Sequence, residues 1–226
     1  MKTTIFNLII LDESGSMHSF TKETISGCNE ILGSARIASQ KNPETQRHLV
    51  SIYSFCDRGY EPSRYLIKNV APEEAPDITE ETYHPGGSTP LLDAVGSTLT
   101  DLEAIAETHE DATGVITIMT DGYENSSTHY DWKDVAKMIE RFKEKGWTIN
   151  LIGANIDIDK MSGQMKINKG NALCYEQDHE GTRDMWESFK RNTDALYDDY
   201  ACESSEPSLR KEERVALRKS RNFFRL

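Results

Sequence analysis

The sequence of 226 residues contains no apolar run long enough to cross a membrane. A spanning helix needs about 20 consecutive apolar residues, and polar or charged residues interrupt each apolar stretch of this chain earlier than that. The first such stretch runs for seven residues after Lys2-Thr3-Thr4 and ends before Asp12-Glu13. We read it as a short strand and not as a signal peptide. No membrane association is expected.

Basic residues are few. The chain has 26 Lys and Arg against 38 Asp and Glu, a formal net charge of −12. An acidic surface repels phosphates, which argues against nucleic acid as a partner. The exception is the C-terminal end, where residues 207–226 hold seven basic side chains against Glu212 and Glu213. This basic segment has a loosely helical apolar stripe, so it is expected to dock either on the acidic body or on a partner.

Several familiar site patterns are missing. The four cysteines (Cys28, Cys56, Cys174 and Cys202) show no C-x-x-C spacing and no histidine at zinc-ligand intervals, which favours reduced thiols and a cytoplasmic protein. The chain also lacks a Walker A loop, a G-x-G-x-x-G loop and a G-x-S-x-G elbow. Nucleotide binding of those types and serine-hydrolase chemistry are therefore disfavoured.

Strand-like and helix-like segments alternate along the chain. Near-continuous apolar runs predict buried strands, and apolar residues at helical spacing predict helices between them. Only eight residues separate the second run from the third, too few for a helical crossover, so these two runs should form an antiparallel hairpin. The pattern predicts a three-layer α/β/α fold with a mostly parallel sheet and one antiparallel edge strand. The predicted strands are 5–11, 49–55, 64–70, 114–120, 147–152 and 172–175, and the predicted helices are 19–40, 90–108, 131–145 and 182–200.

Oxygen-bearing side chains cluster in three loops at the predicted carboxyl ends of strands. The first strand runs into Asp12-Glu13-Ser14-Gly15-Ser16, the fourth into Thr120-Asp121-Gly122, and Pro85-Gly86-Gly87-Ser88-Thr89-Pro90 precedes the second helix. Ligands of open α/β sheets bind at this edge. Hard oxygen donors suit Mg²⁺ or Mn²⁺, and Ca²⁺ less well. The candidate metal ligands are Asp12, Ser14, Ser16, Thr89 and Asp121. Thr89 is also expected to cap the second helix.

These residues resemble a known site. Asp12-x-Ser14-x-Ser16, Thr89 in Gly-Gly-Ser-Thr-Pro-Leu, and Thr-Asp121-Gly are similar to the metal-ion-dependent adhesion site (MIDAS) of von Willebrand factor type A (VWA) domains, here of the stand-alone bacterial type. The resemblance implies that Asp12, Ser14, Ser16 and Thr89 hold the ion directly or through water, and that Asp121 acts through a water. It also implies a Rossmann-like VWA domain over residues 1–203, with 204–226 as a basic helical tail.

The resemblance implies a binding module and not an enzyme. In such domains a partner protein's Asp or Glu completes the coordination of the metal. Stand-alone bacterial members are similar to components of multi-protein systems, including those linked to tellurite resistance or to AAA+ ATPases, which suggests partners of that kind.

Several of these residues allow other interpretations. Asp12 after the first strand is also similar to the nucleophile of a metal-dependent phosphatase-like hydrolase, although Ser14 stands where that chemistry needs a second aspartate. Tyr123, Tyr130 and Trp132 either line a partner surface, or Trp132 packs under the next helix and the rest is a solvated loop. His18 and Glu13, beside the first loop, either tune the choice of ligand or point into solvent, and we expect the second.

Overall fold

The structure, a computed structural model, describes residues 2–59, 63–206 and 208–224. A six-stranded sheet forms its centre, with strand order β3-β2-β1-β4-β5-β6. Every neighbouring pair is parallel except β2 and β3, which are antiparallel at one edge. The predicted fold class and edge hairpin are confirmed. None of the helices in the described ranges has the length and apolar character for crossing a membrane.

The elements follow the predicted alternation closely. The strands are β1 Thr3–Asp12, β2 Gln46–Phe55, β3 Arg64–Val70, β4 Ala112–Thr120, β5 Thr148–Ala154 and β6 Ala172–Tyr175. The helices are α1 Thr21–Lys41, α2 Leu91–Ala106, α3 Trp132–Glu144, α4 Ile158–Met165, α5 His179–Ser205 and α6 Lys211–Lys219. A short 3₁₀ helix, Gly15–Phe20, lies between β1 and α1.

Two apolar layers cover the faces of the sheet, as buried central strands require. One layer lies under α1 and α5 and contains Leu32, Trp186 and Tyr200; the other lies under α2, α3 and α4. Gly27 lets α1 and α5 approach each other, because a Cβ there would lie 1.9 Å from the Trp186 ring. The sheet is therefore packed on both faces, and its strand ends lie at defined positions.

Helix α4 was not predicted. It is only eight residues long, and Ser162 and Gly163 weaken its helical pattern. The structure shows why it forms: the Asp157 carboxylate accepts a hydrogen bond from the Lys160 amide (2.9 Å) and caps the first turn. Met161 and Met165 then pack into the core. A cap and two buried side chains are enough when the rest of the fold supplies the packing surface.

The basic C-terminal segment lies on the body of the same chain. Arg218 pairs with Glu203 of α5 at 2.7 Å, and both side chains are 3% exposed. Phe223 is buried against Phe189, and its amide donates to Asn171 Oδ1 (3.0 Å). Residues 207, 225 and 226 of the predicted tail lie outside the described residues. The boundary predicted at 203/204 falls inside α5.

Candidate metal site

Asp12, the last residue of β1, is fixed by the neighbouring strand. The register aligns Leu11 with Met119, so the end of β4 lies beside Asp12. The Thr120 hydroxyl donates to Asp12 Oδ2 (2.6 Å), and the Ser14 amide donates to Oδ1 (2.7 Å). The Tyr83 hydroxyl donates to the Asp12 carbonyl (2.7 Å). These hydrogen bonds fix the orientation of the Asp12 carboxylate.

Ser14, Ser16 and Asp121 form a continuous chain of oxygens between two loops. Ser14 Oγ lies 3.1 Å from Ser16 Oγ, and Ser16 Oγ donates to Asp121 Oδ1 at 2.5 Å. Asp12, Ser14 and Asp121 are buried, whereas Ser16 is exposed. The structure thus brings four of the predicted ligands together, with Ser16 on the solvent side.

Thr89 reaches the same region from the third loop. Its hydroxyl lies beside Gly122, 3.4 Å from where a Cβ on that glycine would be. Its amide and carbonyl are held by Asn125, which donates from its own amide and accepts through Oδ1. The expectation that Thr89 caps α2 is wrong, because the first turn makes its side-chain hydrogen bonds to the 122–131 loop: Glu124 accepts from the Leu92 amide and Ser127 from the Asp93 amide. This releases the Thr89 hydroxyl from capping.

Glu13 does not point into solvent as expected. Its side chain is fully buried and accepts hydrogen bonds from Ser54 Oγ (2.6 Å), the His84 amide (2.8 Å) and Arg64 Nη1 (2.9 Å). Arg58 lies 3.4 Å away on the other carboxylate oxygen. Glu13 thereby ties the end of β1 to β2, to β3 and to the segment that leads to Thr89. Successive side chains of a strand point to opposite faces, so the sequence could have indicated that Asp12 and Glu13 face different surroundings.

Two further polar contacts had no clear sequence signal. Gln177, after β6, donates from Nε2 to Asp121 Oδ2 and accepts from Asn155 Nδ2. Gln177 lies 56 residues from Asp121 in the chain. Only the adjacency of β4, β5 and β6 brings the two together.

Burial raises the pKa of Asp12 from 3.8 to about 6, and the Asp121 charge adds a smaller upward contribution. The hydrogen bonds from Thr120 and Ser14 oppose this rise without cancelling it. A buried carboxylate with a second carboxylate nearby is a place where a cation lowers the electrostatic energy.

The three aromatic residues Tyr123, Tyr130 and Trp132 lie in different surroundings. Tyr123 is 55% exposed, and its hydroxyl accepts from the Asp157 amide (2.9 Å). Tyr130 covers Gly96 of α2, and Trp132 packs on the core beneath α3. Tyr123 alone of the three presents most of its surface to solvent beside Asp121.

Solved structures of low sequence identity share this architecture. A von Willebrand factor type A protein from Catenulispora acidiphila is 16% identical, with a TM-score of 0.52, covering 84% of this chain and 43% of its own. Manganese-loaded TRAP of Plasmodium vivax is 16% identical (TM-score 0.53; 76% and 68% covered). Proximal thread matrix protein 1 from the mussel byssus, with a zinc-occupied MIDAS motif, is 11% identical (TM-score 0.54; 88% and 46% covered).

The chain has the von Willebrand factor type A fold. It spans less than half the length of two of these three proteins. No protein-family model and no curated protein sequence matches the chain.

The oxygens at the carboxyl edge of this VWA fold fit a hard divalent cation. They come from two carboxylates and from the hydroxyls of Ser14, Ser16 and Thr89, with no nitrogen or sulfur among the five predicted ligands. In the described parts of the chain no group of three or more His, Cys, Asp or Glu is placed to hold a metal, so a metal site here depends on hydroxyl oxygens beside the two carboxylates. Mg²⁺ and Mn²⁺ bind well to carboxylate and hydroxyl oxygens and retain water at other positions.

Gly87 allows the third loop to approach the first. It has φ +83°, and a Cβ there would lie 2.2 Å from the Asp57 carbonyl oxygen. Its own carbonyl accepts from the Gly15 amide (3.1 Å), which joins the Thr89 loop to the Ser14–Ser16 loop.

We therefore expect Gly87→Ala to destabilise the protein by about 2 kcal/mol or more, through a strained backbone and a displaced loop. Urea unfolding measures this. Gly33→Ala is the matched control, because it lies inside α1 with nothing within 4 Å of the added methyl. The control should be neutral or stabilising by up to about 1 kcal/mol. Equal effects of the two substitutions would contradict the assigned role of Gly87.

Proposed function

We propose that the chain is a divalent-metal-dependent protein-binding module. In this proposal Asp12, Ser14, Ser16, Thr89 and Asp121 hold Mg²⁺ or Mn²⁺, directly or through water, and a partner's Asp or Glu reaches the ion from solvent. The observation that carries it is the chain of oxygens from Ser14 through Ser16 to Asp121, beside the buried Asp12. The likeness to a manganese-loaded protein and to one with a zinc-occupied MIDAS motif supports a divalent ion.

The bound ion supplies a Lewis-acidic point of attachment for an oxygen ligand. The residues of the chain position it: Thr120 and the Ser14 amide orient the Asp12 carboxylate, and Gln177 holds the outer oxygen of Asp121. The exposed Ser16 marks the side from which a partner approaches. Three of the five ligands are neutral hydroxyls, so the ion keeps much of its charge for the partner carboxylate.

We propose a non-catalytic role. Ser14, and not a second aspartate, stands where phosphatase-like chemistry needs its general acid. The phosphatase-like alternative gains no support from this arrangement. The test of this alternative is the hydrolysis of p-nitrophenyl phosphate in Mg²⁺. Turnover by the wild type that disappears in Asp12→Asn would support it.

We also propose that the protein is cytoplasmic. Cys174 and Cys202 are exposed thiols, and exposed thiols persist best in a reducing compartment. This supports a cytoplasmic protein. AAA+ ATPases and stress-resistance systems are then the first partner classes to test.

Metal binding is tested by thermal unfolding in chelator, Mg²⁺ and Mn²⁺. An ion that binds the native state at a hundred times its dissociation constant stabilises it by about 2.7 kcal/mol, which corresponds to a midpoint rise of about 5–10 °C for a chain of this size. Ser16→Ala should lose most of this rise, because it removes an exposed ligand without opening a core cavity. Ser19→Ala, an exposed serine of the same 3₁₀ helix, is the control and should keep it.

Partner binding needs a second experiment. The wild-type chain and Ser16→Ala are used to capture proteins from native lysate in Mg²⁺ and in chelator. A partner retained only by wild type in Mg²⁺, and lost when one of its own Asp or Glu residues becomes Asn or Gln, supports the proposal. Metal binding with partner capture that is indifferent to chelator would refute the coordination of a partner carboxylate.

A further inference from the structure

A small cavity lies where the C-terminal segment meets the body, at the opposite end of the sheet from the candidate metal site. Thr148, the first residue of β5, lines it, whereas the metal site lies at the carboxyl ends of the strands. Its volume is about 70 Å³. A water molecule takes about 30 Å³ of liquid, so the space suits a small ion and excludes a nucleoside or a peptide.

The lining of the cavity is cationic. Lys143 comes from α3, Arg218 and Lys219 from α6, and Arg221 from the turn that follows α6. No acidic residue of the described ranges lines it. This is unexpected in a protein of net charge −12, and it places positive charges from the tail and the body around one small, partly open cavity.

Arg218 is the central group of the cluster. Its Nε donates to Glu203 Oε2 (2.7 Å), and the side chain is 3% exposed. Its Nη2 is buried and has no hydrogen-bond partner within the described structure. The guanidinium lies over the Tyr200 ring, 5.3 Å from its centroid. A buried guanidinium N–H without an acceptor is costly, so Nη2 favours a hydrogen-bond acceptor from solution beside this ring contact.

Arg221 and Lys143 provide further donors. Arg221 contacts Glu203 through Nη2 (2.5 Å) and Asp199 through Nε (3.5 Å), whereas its buried Nη1 has no hydrogen-bond partner in the part of the chain that the structure describes. Lys143 Nζ donates to the Lys166 carbonyl (2.5 Å) and to Asn168 Oδ1 (2.8 Å), which leaves the third of its three N–H groups for another acceptor.

We propose that this cavity binds a tetrahedral oxyanion of the phosphate class, which Arg218, Arg221, Lys143 and Lys219 hold between α6 and the body. An anion with several acceptor oxygens matches the fixed fork of an arginine together with a lysine ammonium group. Glu203 and Asp199 face the two arginines, so the anion would balance the charge of Lys143 and Lys219. Because its contacts come from both α6 and α3, the bound ion links the C-terminal segment to the rest of the domain.

The test measures thermal unfolding of the full chain with chelator present, so that the candidate metal site plays no part. The probes are inorganic phosphate and glycerol phosphate, compared with chloride at the same ionic strength. At about five times the dissociation constant, binding should raise the midpoint by about 2–4 °C beyond chloride. A shift with inorganic phosphate alone identifies the free ion as the ligand, and equal shifts identify a phosphate group that a larger molecule carries.

Variants assign the effect to this cavity. Arg218→Lys keeps a cation beside Glu203 but removes the fork, and it should weaken phosphate binding about tenfold or more. Lys219→Gln, an exposed position that leaves the Glu203 pair intact, should weaken it about two- to fivefold. Lys211→Gln lies on the same helix outside the cavity and should bind as wild type does.

Two results would overturn the proposal. One is a midpoint that rises no more in phosphate or glycerol phosphate than in chloride, as a cavity filled by water would give. The other is a phosphate response that Arg218→Lys and Lys219→Gln leave unchanged.

Discussion

Asp12→Asn is expected to stabilise the metal-free protein at pH 7 and to abolish its response to Mg²⁺. Burial raises the pKa of Asp12 from 3.8 to about 6, so the folded state holds the carboxyl proton more tightly than the unfolded state does. At pH 7 both states are ionised, and ionising the buried group costs the folded state about 3 kcal/mol relative to the unfolded one. Asparagine carries no charge and avoids this cost. A gain of about 1–3 kcal/mol is expected.

The pH dependence follows from the same shift. Between about pH 4 and pH 6 the folded protein binds more protons at this position than the unfolded chain, so the contribution of Asp12 to stability falls as the pH rises through that window. Asp12→Asn lacks this contribution. Urea unfolding in chelator at pH 4, 5, 6, 7 and 8 should therefore show the variant overtaking the wild type as the pH rises. Ser19→Ala, at an exposed position that carries no titratable group, is the control and should leave the stability difference independent of pH.

Mg²⁺ should reverse the ranking. In the wild type the cation offsets the charges of Asp12 and Asp121, whereas asparagine offers a neutral ligand that binds a hard cation weakly. The wild type should become the more stable protein in Mg²⁺, and Asp12→Asn should unfold at the same midpoint with and without the ion. If Asp12→Asn is less stable than the wild type at pH 7 in chelator, the Asp12 charge does not destabilise the metal-free protein and this prediction is wrong.

The fold could be predicted because its signals are local. Apolar runs such as 5–11 and 114–120 identify central strands without knowledge of their neighbours. The eight residues between the second and third runs exclude a crossover, which predicts the antiparallel edge strand. Once the strands are parallel, their carboxyl ends share one edge, and Ser14, Ser16 and Asp121 come together as expected.

The support of the site could not be predicted in the same way. Gln177 contacts Asp121 across three strands, and nothing in its own segment distinguishes it from a solvated loop residue. The capping of α2 by Glu124 and Ser127 depends on how the 122–131 loop folds back on that helix. Such contacts form between segments far apart in the chain, where hydrophobic periodicity carries no information.

Glu13→Ala is expected to cost about 3–5 kcal/mol of folding stability, the usual range when one partner of a buried ion pair is removed. Arg58, with 9% of its side chain exposed, and Arg64 would face a cavity in place of a carboxylate. The Ser54 hydroxyl and the His84 amide would also lose their acceptor. Urea unfolding with and without Mg²⁺ measures both consequences.

Glu13→Gln separates charge from shape. The amide oxygen still accepts a hydrogen bond from the His84 amide or from Ser54, so the loss should be smaller, about 1–3 kcal/mol. Because Glu13 faces Arg58 and Arg64 and not the oxygens of the metal site, Glu13→Gln should keep a wild-type response to Mg²⁺. Adjacent carboxylates thus give opposite results: loss of the Asp12 charge stabilises the metal-free protein and removes metal binding, while loss of the Glu13 charge destabilises it and leaves metal binding intact. A Glu13→Gln variant that folds as stably as wild type but ignores Mg²⁺ would place Glu13 among the ligands and overturn this division.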